Sequence, residues 1–197
     1  MVHEATLHES GDSAVLLEMG PRIKPFADIT TNSRVRRSTA PGGFSNGNAP
    51  VSHTLRVSGG LNIYLHLSDG VPSLNMPNAT GHSDMCIKLH RIILTDRIQA
   101  GEIVIMESAE DNKYLSGSRT PSSTSSGVVE LVSGEAGSLE TVSANDPRLF
   151  QISREVGSLS CTIRHKQTGL YLSASGNSLA LTTENRTLFE KYRCDHS

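Results

Sequence analysis

An all-β fold is predicted by three features of this 197-residue chain. Apolar and polar residues alternate over runs of about four to six positions, as they do in strands, where successive side chains face opposite ways. Clusters of Gly, Ser, Asn and Asp break these runs, and helical spacing is nearly absent after residue 50. The pair Tyr-Leu occurs three times, at Tyr64-Leu65, Tyr114-Leu115 and Tyr171-Leu172, each time at the same place in a loosely repeated pattern.

The elements follow in order within each repeat. An alternating apolar pair comes first: Leu55 and Val57, then Ile103 and Ile105, then Cys161 and Ile163. The Tyr-Leu strand is second. A further apolar pair two apart is third: Leu74 and Met76, Val129 and Leu131, Leu179 and Leu181. A closing stretch is fourth, carried by Met85, Ile87 and Leu89, by Phe150 and Ile152, and by Phe189. Three units of four strands predict twelve strands. The tyrosines are spaced 50 and 57 residues apart, and the middle unit's excess falls in two polar inserts, 116–127 (SGSRTPSSTSSG) and 133–146. Units that cannot bury their apolar faces alone close around a shared core, and a barrel removes the exposed edges of an open sheet. The expected architecture is a β-trefoil over residues 51–197, with residues 1–50 as an N-terminal extension and linker.

The third unit reads Gly169-Leu-Tyr-Leu-Ser-Ala174, then Leu179-Ala-Leu-Thr-Thr183, then Thr187-Leu-Phe-Glu190; the second reads Asn112-Lys-Tyr-Leu-Ser116 with Leu149-Phe-Gln-Ile152. Together they resemble the β-trefoil unit of the fascin and hisactophilin proteins, in which a "KYLSA" strand leads to a short strand and a Phe-containing closing strand. The first unit, Asn62-Ile-Tyr-Leu-His66 with Cys86-Ile-Lys-Leu89, is similar. The resemblance spans roughly residues 53–193 and implies a non-enzymatic, intracellular protein-interaction domain of the actin-binding, cytoskeletal type. Residues 102–109 (EIVIMESA), followed by Tyr114-Leu-Ser116, are also similar to an interleukin-one strand. That likeness keeps open a cytokine or growth-factor-like trefoil ligand released without a signal peptide. A trefoil lectin or protease inhibitor is a further alternative; the chain has no Trp to stack on a sugar.

Composition agrees with one globular domain: 36% apolar residues plus 17 glycines, and a net charge of −2. No basic stripe marks a nucleic-acid partner. No run approaches the roughly 20 apolar residues that cross a bilayer, and the first residues lack the basic start and apolar run of a signal peptide. The expectation is a cytoplasmic monomer, with secretion by an unconventional route as the alternative. Ala40 to Pro50 reads as a flexible linker and Ser13 to Met19 as a short element packed on the barrel.

The three cysteines, Cys86, Cys161 and Cys194, show no CxxC spacing, so a disulfide scaffold is not expected; Cys86 and Cys161 read as small buried apolar groups. Eight scattered histidines form no zinc signature, the nearest pair being His82 and Asp84, and no phosphate-binding loop is present. No cofactor, metal or catalytic residue is therefore expected. Candidate binding residues are Lys88, His90 and Arg91 from the first unit, Lys113 and Arg119 from the second, and Arg164, His165 and Lys166 from the third. The partner expected for them is a protein, a filament or a receptor, ahead of carbohydrate. Arg34, Arg36, Arg37, Ser38 and Thr39 form a basic processing or kinase motif, Thr120 before Pro121 a proline-directed phosphorylation site, and Asn78 and Asn185 lie in sequons.

Overall fold

The computed structural model describes residues 42–45 (backbone), 49–59, 62–68, 70–77, 85–94, 101–134, 139–154 and 156–194. The segment Ser13 to Met19, the motif of Arg34, Arg36, Arg37, Ser38 and Thr39, Asn78, and the pair His82 and Asp84 lie outside the described residues.

Among the described residues fourteen strands form one sheet system, and there is no α-helix. In chain order they are β1 Gly42–Ser45, β2 Val51–Val57, β3 Tyr64–His66, β4 Ser73–Asn75, β5 Ile87–Leu94, β6 Glu102–Ser108 and β7 Lys113–Arg119. Then come β8 Ser126–Ser133, β9 Val142–Ser143, β10 Leu149–Arg154, β11 Ser160–His165, β12 Tyr171–Ser175, β13 Ser178–Thr182 and β14 Phe189–Arg193. The twelve expected strands are present, joined by β1 and β9. Six strands pair antiparallel in a closed ring, β2 with β5, β5 with β6, β6 with β10, β10 with β11, β11 with β14, and β14 back to β2. Closure leaves no free edge in the ring.

Hairpins β3–β4, β7–β8 and β12–β13 stand on this ring, and β13 pairs with both β4 and β8, which draws the three together. The register recurs at each. Tyr64, Tyr114 and Tyr171 sit opposite Arg56, Glu107 and Arg164 of the preceding strand. Leu65, Leu115 and Leu172 each face a leucine across the hairpin, namely Leu74, Leu131 and Leu181. The first three are fully buried and meet inside the ring with Leu55, Met106, Ile163, Ile87, Phe150 and Phe189.

Several expectations are corrected here. In β6 the inward residues are Val104 and Met106, while Ile103 and Ile105 belong to a second cluster with Ile92, Leu94, Tyr114, Leu139, Val142 and Leu149. An uninterrupted apolar run, buried on both faces, carries no alternation from which the inward face can be read. The second cluster lies where β1 pairs with β5 and β9, so Gly42–Ser45, expected as linker, is strand. Met76 is 67% exposed, and only Leu74 of that pair turns inward. The insert 116–127 is largely hairpin, with register running on to Arg119 opposite Gly127.

The cysteine expectation also fails in part. Cys86 is joined to Cys194 across a sequence separation of 108, with Cα atoms 6.4 Å apart, inside the usual range for a disulfide. Ring closure brings them together, because His53 of β2 pairs with Ile87 on one side and Arg193 on the other. Residues 86 and 194, next along each chain, therefore flank one strand. Cys161 stays a buried free thiol.

Candidate functional site

Most of the predicted basic residues serve the fold rather than standing free. Lys88 and His90 of β5 both reach Glu107 of β6, Nζ to Oε1 at 2.8 Å and Nε2 to Oε2 at 2.5 Å, and Glu107 is 6% exposed. A carboxylate so buried needs partners, and these two side chains supply them. Lys113 bonds Asp111 at 3.0 Å within its turn. Arg119 donates to the carbonyls of Thr124 and Thr168, both at 2.7 Å, and so braces the β7–β8 tip against the β11–β12 turn. Thr120 donates its amide to Ser126 inside that tip.

Arg164 donates to the Gly169 carbonyl at 2.7 Å and lies over the Tyr171 ring. Its neighbour His165 is fully buried, which removes it from reach of a partner and corrects its reading as a contact residue. Its Nε2–H donates to the Pro147 carbonyl and its Nδ1 accepts from the Thr168 hydroxyl, both at 2.9 Å. Burial pushes its pKa down, against the opposing effect of the Pro147 bond. Lys166 is half-buried, with its amide bonded to Leu149 O. The structure thus gathers Lys88 and His90 on one carboxylate, and Arg119, Arg164 and His165 on one turn. Arg91 it places elsewhere.

Arg91 belongs to the end of the ring away from the hairpins. Strand parity explains it: Ile87 and Leu89 of β5 face the core, so Arg91 does too, one step beyond it. Phe150 and Ile152 put Arg154 in the same position on β10, and Phe189 does so for Lys191 and Arg193 on β14. Two adjoining cavities of about 240 and 250 Å³ open there. Arg154 and Cys161 line one, Arg91, His53 and Arg193 the other, and Glu102 and Lys191 line both.

Glu102 is the hub of this mouth. Lys191 reaches its Oε2 and Arg91 its Oε1, each at 2.6 Å. Burial alone would raise the carboxyl's pKa, but the hydrogen bonds from Lys191 and Arg91 outweigh it and hold the group below the usual carboxylate range. Burial also lowers His53, helped by Lys191 and Arg193 and opposed by its Val51 carbonyl bond and Glu102. Around Glu102 the mouth thus presents four cations, Arg91, Arg154, Lys191 and Arg193, and a neutral imidazole. Sequence reading missed Arg154, Arg193, Lys191 and Glu102. The available signal was a count of four residues onward from Ile87, Phe150 and Phe189, which lands on an arginine each time.

No family model matches the chain, and no curated protein does. Solved structures do match. A Caenorhabditis elegans protein of unknown function aligns at TM-score 0.53 and 15% identity, covering 73% of this chain and 94% of that one. The Saccharomyces cerevisiae protein O-mannosyltransferase complex bound to its sugar donor aligns at 0.54 and 13%, covering 82% of this chain and 29% of that one. A Polyporus squamosus lectin bound to an influenza-binding epitope aligns at 0.46 and 12%, covering 72% and 49%. At these identities the first two are likenesses of fold alone.

Proposed function

We propose that the chain is a β-trefoil acting as a non-enzymatic protein-binding module of the fascin and hisactophilin type. The recurrent register carries the reading: three Tyr-Leu strands, each opposite the equivalent residue of the preceding ring strand, and three Leu–Leu crossings in the hairpins. Among the described residues, a thiol and an imidazole that could do nucleophilic or acid–base chemistry are committed elsewhere. The Cys161 thiol is buried and its pKa pushed up by that burial, the reverse of an activated nucleophile. His90 serves Glu107. Binding at the surface is what remains, and a filament partner is tested by co-sedimentation with F-actin. The wild-type protein should pellet and an Arg164→Glu/Lys166→Glu variant should stay in solution. A wild-type protein that never pellets overturns the cytoskeletal version.

The Cys86–Cys194 bond favours a second reading, an exported trefoil ligand, because disulfides persist in oxidising compartments and are rare in the cytosol. Alkylation of free thiols in denaturant without reductant, read by mass, separates the two. One modified cysteine supports export and three support a reduced intracellular protein.

A further inference from the structure

Three arginines occupy equivalent places around the open end of the ring. Arg91 pairs with Val104, Arg154 with Cys161 and Arg193 with His53, in each case the residue four beyond Ile87, Phe150 or Phe189 on a closing strand against the matching residue of the next opening strand. The same match holds deeper in the barrel, where Ile87, Phe150 and Phe189 stand opposite Ser108, His165 and Val57. All three arginines are exposed. Among the described residues, Arg154 and Arg193 form no ion pair, and Glu102 holds Arg91 and Lys191 together. We propose that this mouth binds a small polyanion bearing two or more phosphate or sulfate groups.

The geometry suits that class. Positive charge gathered at a concave, partly desolvated opening focuses its field on an incoming anion. Guanidinium forks match tetrahedral oxyanions through paired hydrogen bonds, and three forks at intervals around a ring suit a ligand with several such groups better than a single ion. The two cavities give these groups separate lobes, divided by the Lys191–Glu102 pair. Glu102 competes with the ligand for Arg91 and Lys191, and so keeps both extended across the opening in its absence. The inference goes beyond the proposed protein-binding role and is independent of the partner in it.

The test is calorimetric titration of the full chain, at ionic strength fixed with sodium chloride, with inorganic tripolyphosphate in one arm and a trisulfated heparin disaccharide in the other. Saturable binding to at least one is expected, and the arm that binds tells phosphate from sulfate. Arg154→Gln/Arg193→Gln should weaken it by about tenfold or more, while Glu102→Gln should tighten it and Arg186→Gln, which lines neither cavity, leave it unchanged. No saturable binding in either arm overturns the proposal, as does an Arg186→Gln loss equal to that of the arginine pair, or a Glu102→Gln variant that binds no better than wild type.

Discussion

Asn62, Asn112 and Gly169 each stand two residues before a Tyr-Leu tyrosine with φ of +31°, +46° and +74°. A left-handed residue there turns the chain from the opening strand into the hairpin, and Asn and Gly are the residues that adopt it at least cost. Replacing Asn112 by Val should cost about 1–3 kcal/mol, while Asn112→Gly should be near neutral; equal urea midpoints for the two variants would contradict this. Histidine behaviour supplies a second prediction. Burial holds both His165 and His53 below the ordinary imidazole pKa. The unfolded chain protonates them near about pH 6.5 while the folded chain stays neutral. Their contribution is therefore full above that pH and is lost as pH falls through the lowered folded values. The urea midpoint should drop between pH 7.5 and 5, and His165→Gln should flatten the drop. A profile unchanged by His165→Gln would show that the buried ring is not its source. None of this was legible at His165 itself, since a histidine between Arg164 and Lys166 reads as surface charge until strand parity turns it inward.

At the level of strands, legibility followed exposure. Where one face meets water the alternation was clear, as in β5 at Ile87 and Leu89, with Lys88 and His90 between and beyond them less buried. In β6, where residues 103–108 are all buried, the alternating pair Ile103 and Ile105 marked the strand without telling which face meets the ring's core. β1 and β9 went unseen because four and two residues are too few to show a period, and Gly42-Gly43 carries no pattern. The disulfide was equally hidden, since only the meeting of β14 with β2 brings residue 194 beside residue 86. Closing so long a loop restricts the unfolded chain. A Cys86→Ser/Cys194→Ser variant should lose about 2–5 kcal/mol of stability in denaturant titration; a loss below about 0.5 kcal/mol would mean that the two thiols are unpaired in the folded protein.

The barrel is graded along the ring's axis. At the hairpin end Leu65, Leu115 and Leu172 close the interior, in the middle Leu55, Met106, Ile163, Phe150 and Phe189 fill it, and at the open end charged residues replace them. The apolar end was readable because Tyr-Leu repeats in the sequence; the charged end was not, because arginines spaced 63 and 39 residues apart announce no common site until the ring is closed. Leu115→Ala and Leu172→Ala should each cost about 2–5 kcal/mol, since both leave a hole where three hairpins meet. Ring closure itself is the claim on which core, mouth and disulfide all depend, and nuclear Overhauser contacts across the pairs Arg91–Val104, Arg154–Cys161 and Arg193–His53 test it most directly. All three contacts are predicted; the first two without Arg193–His53 would reveal an open sheet and contradict the account.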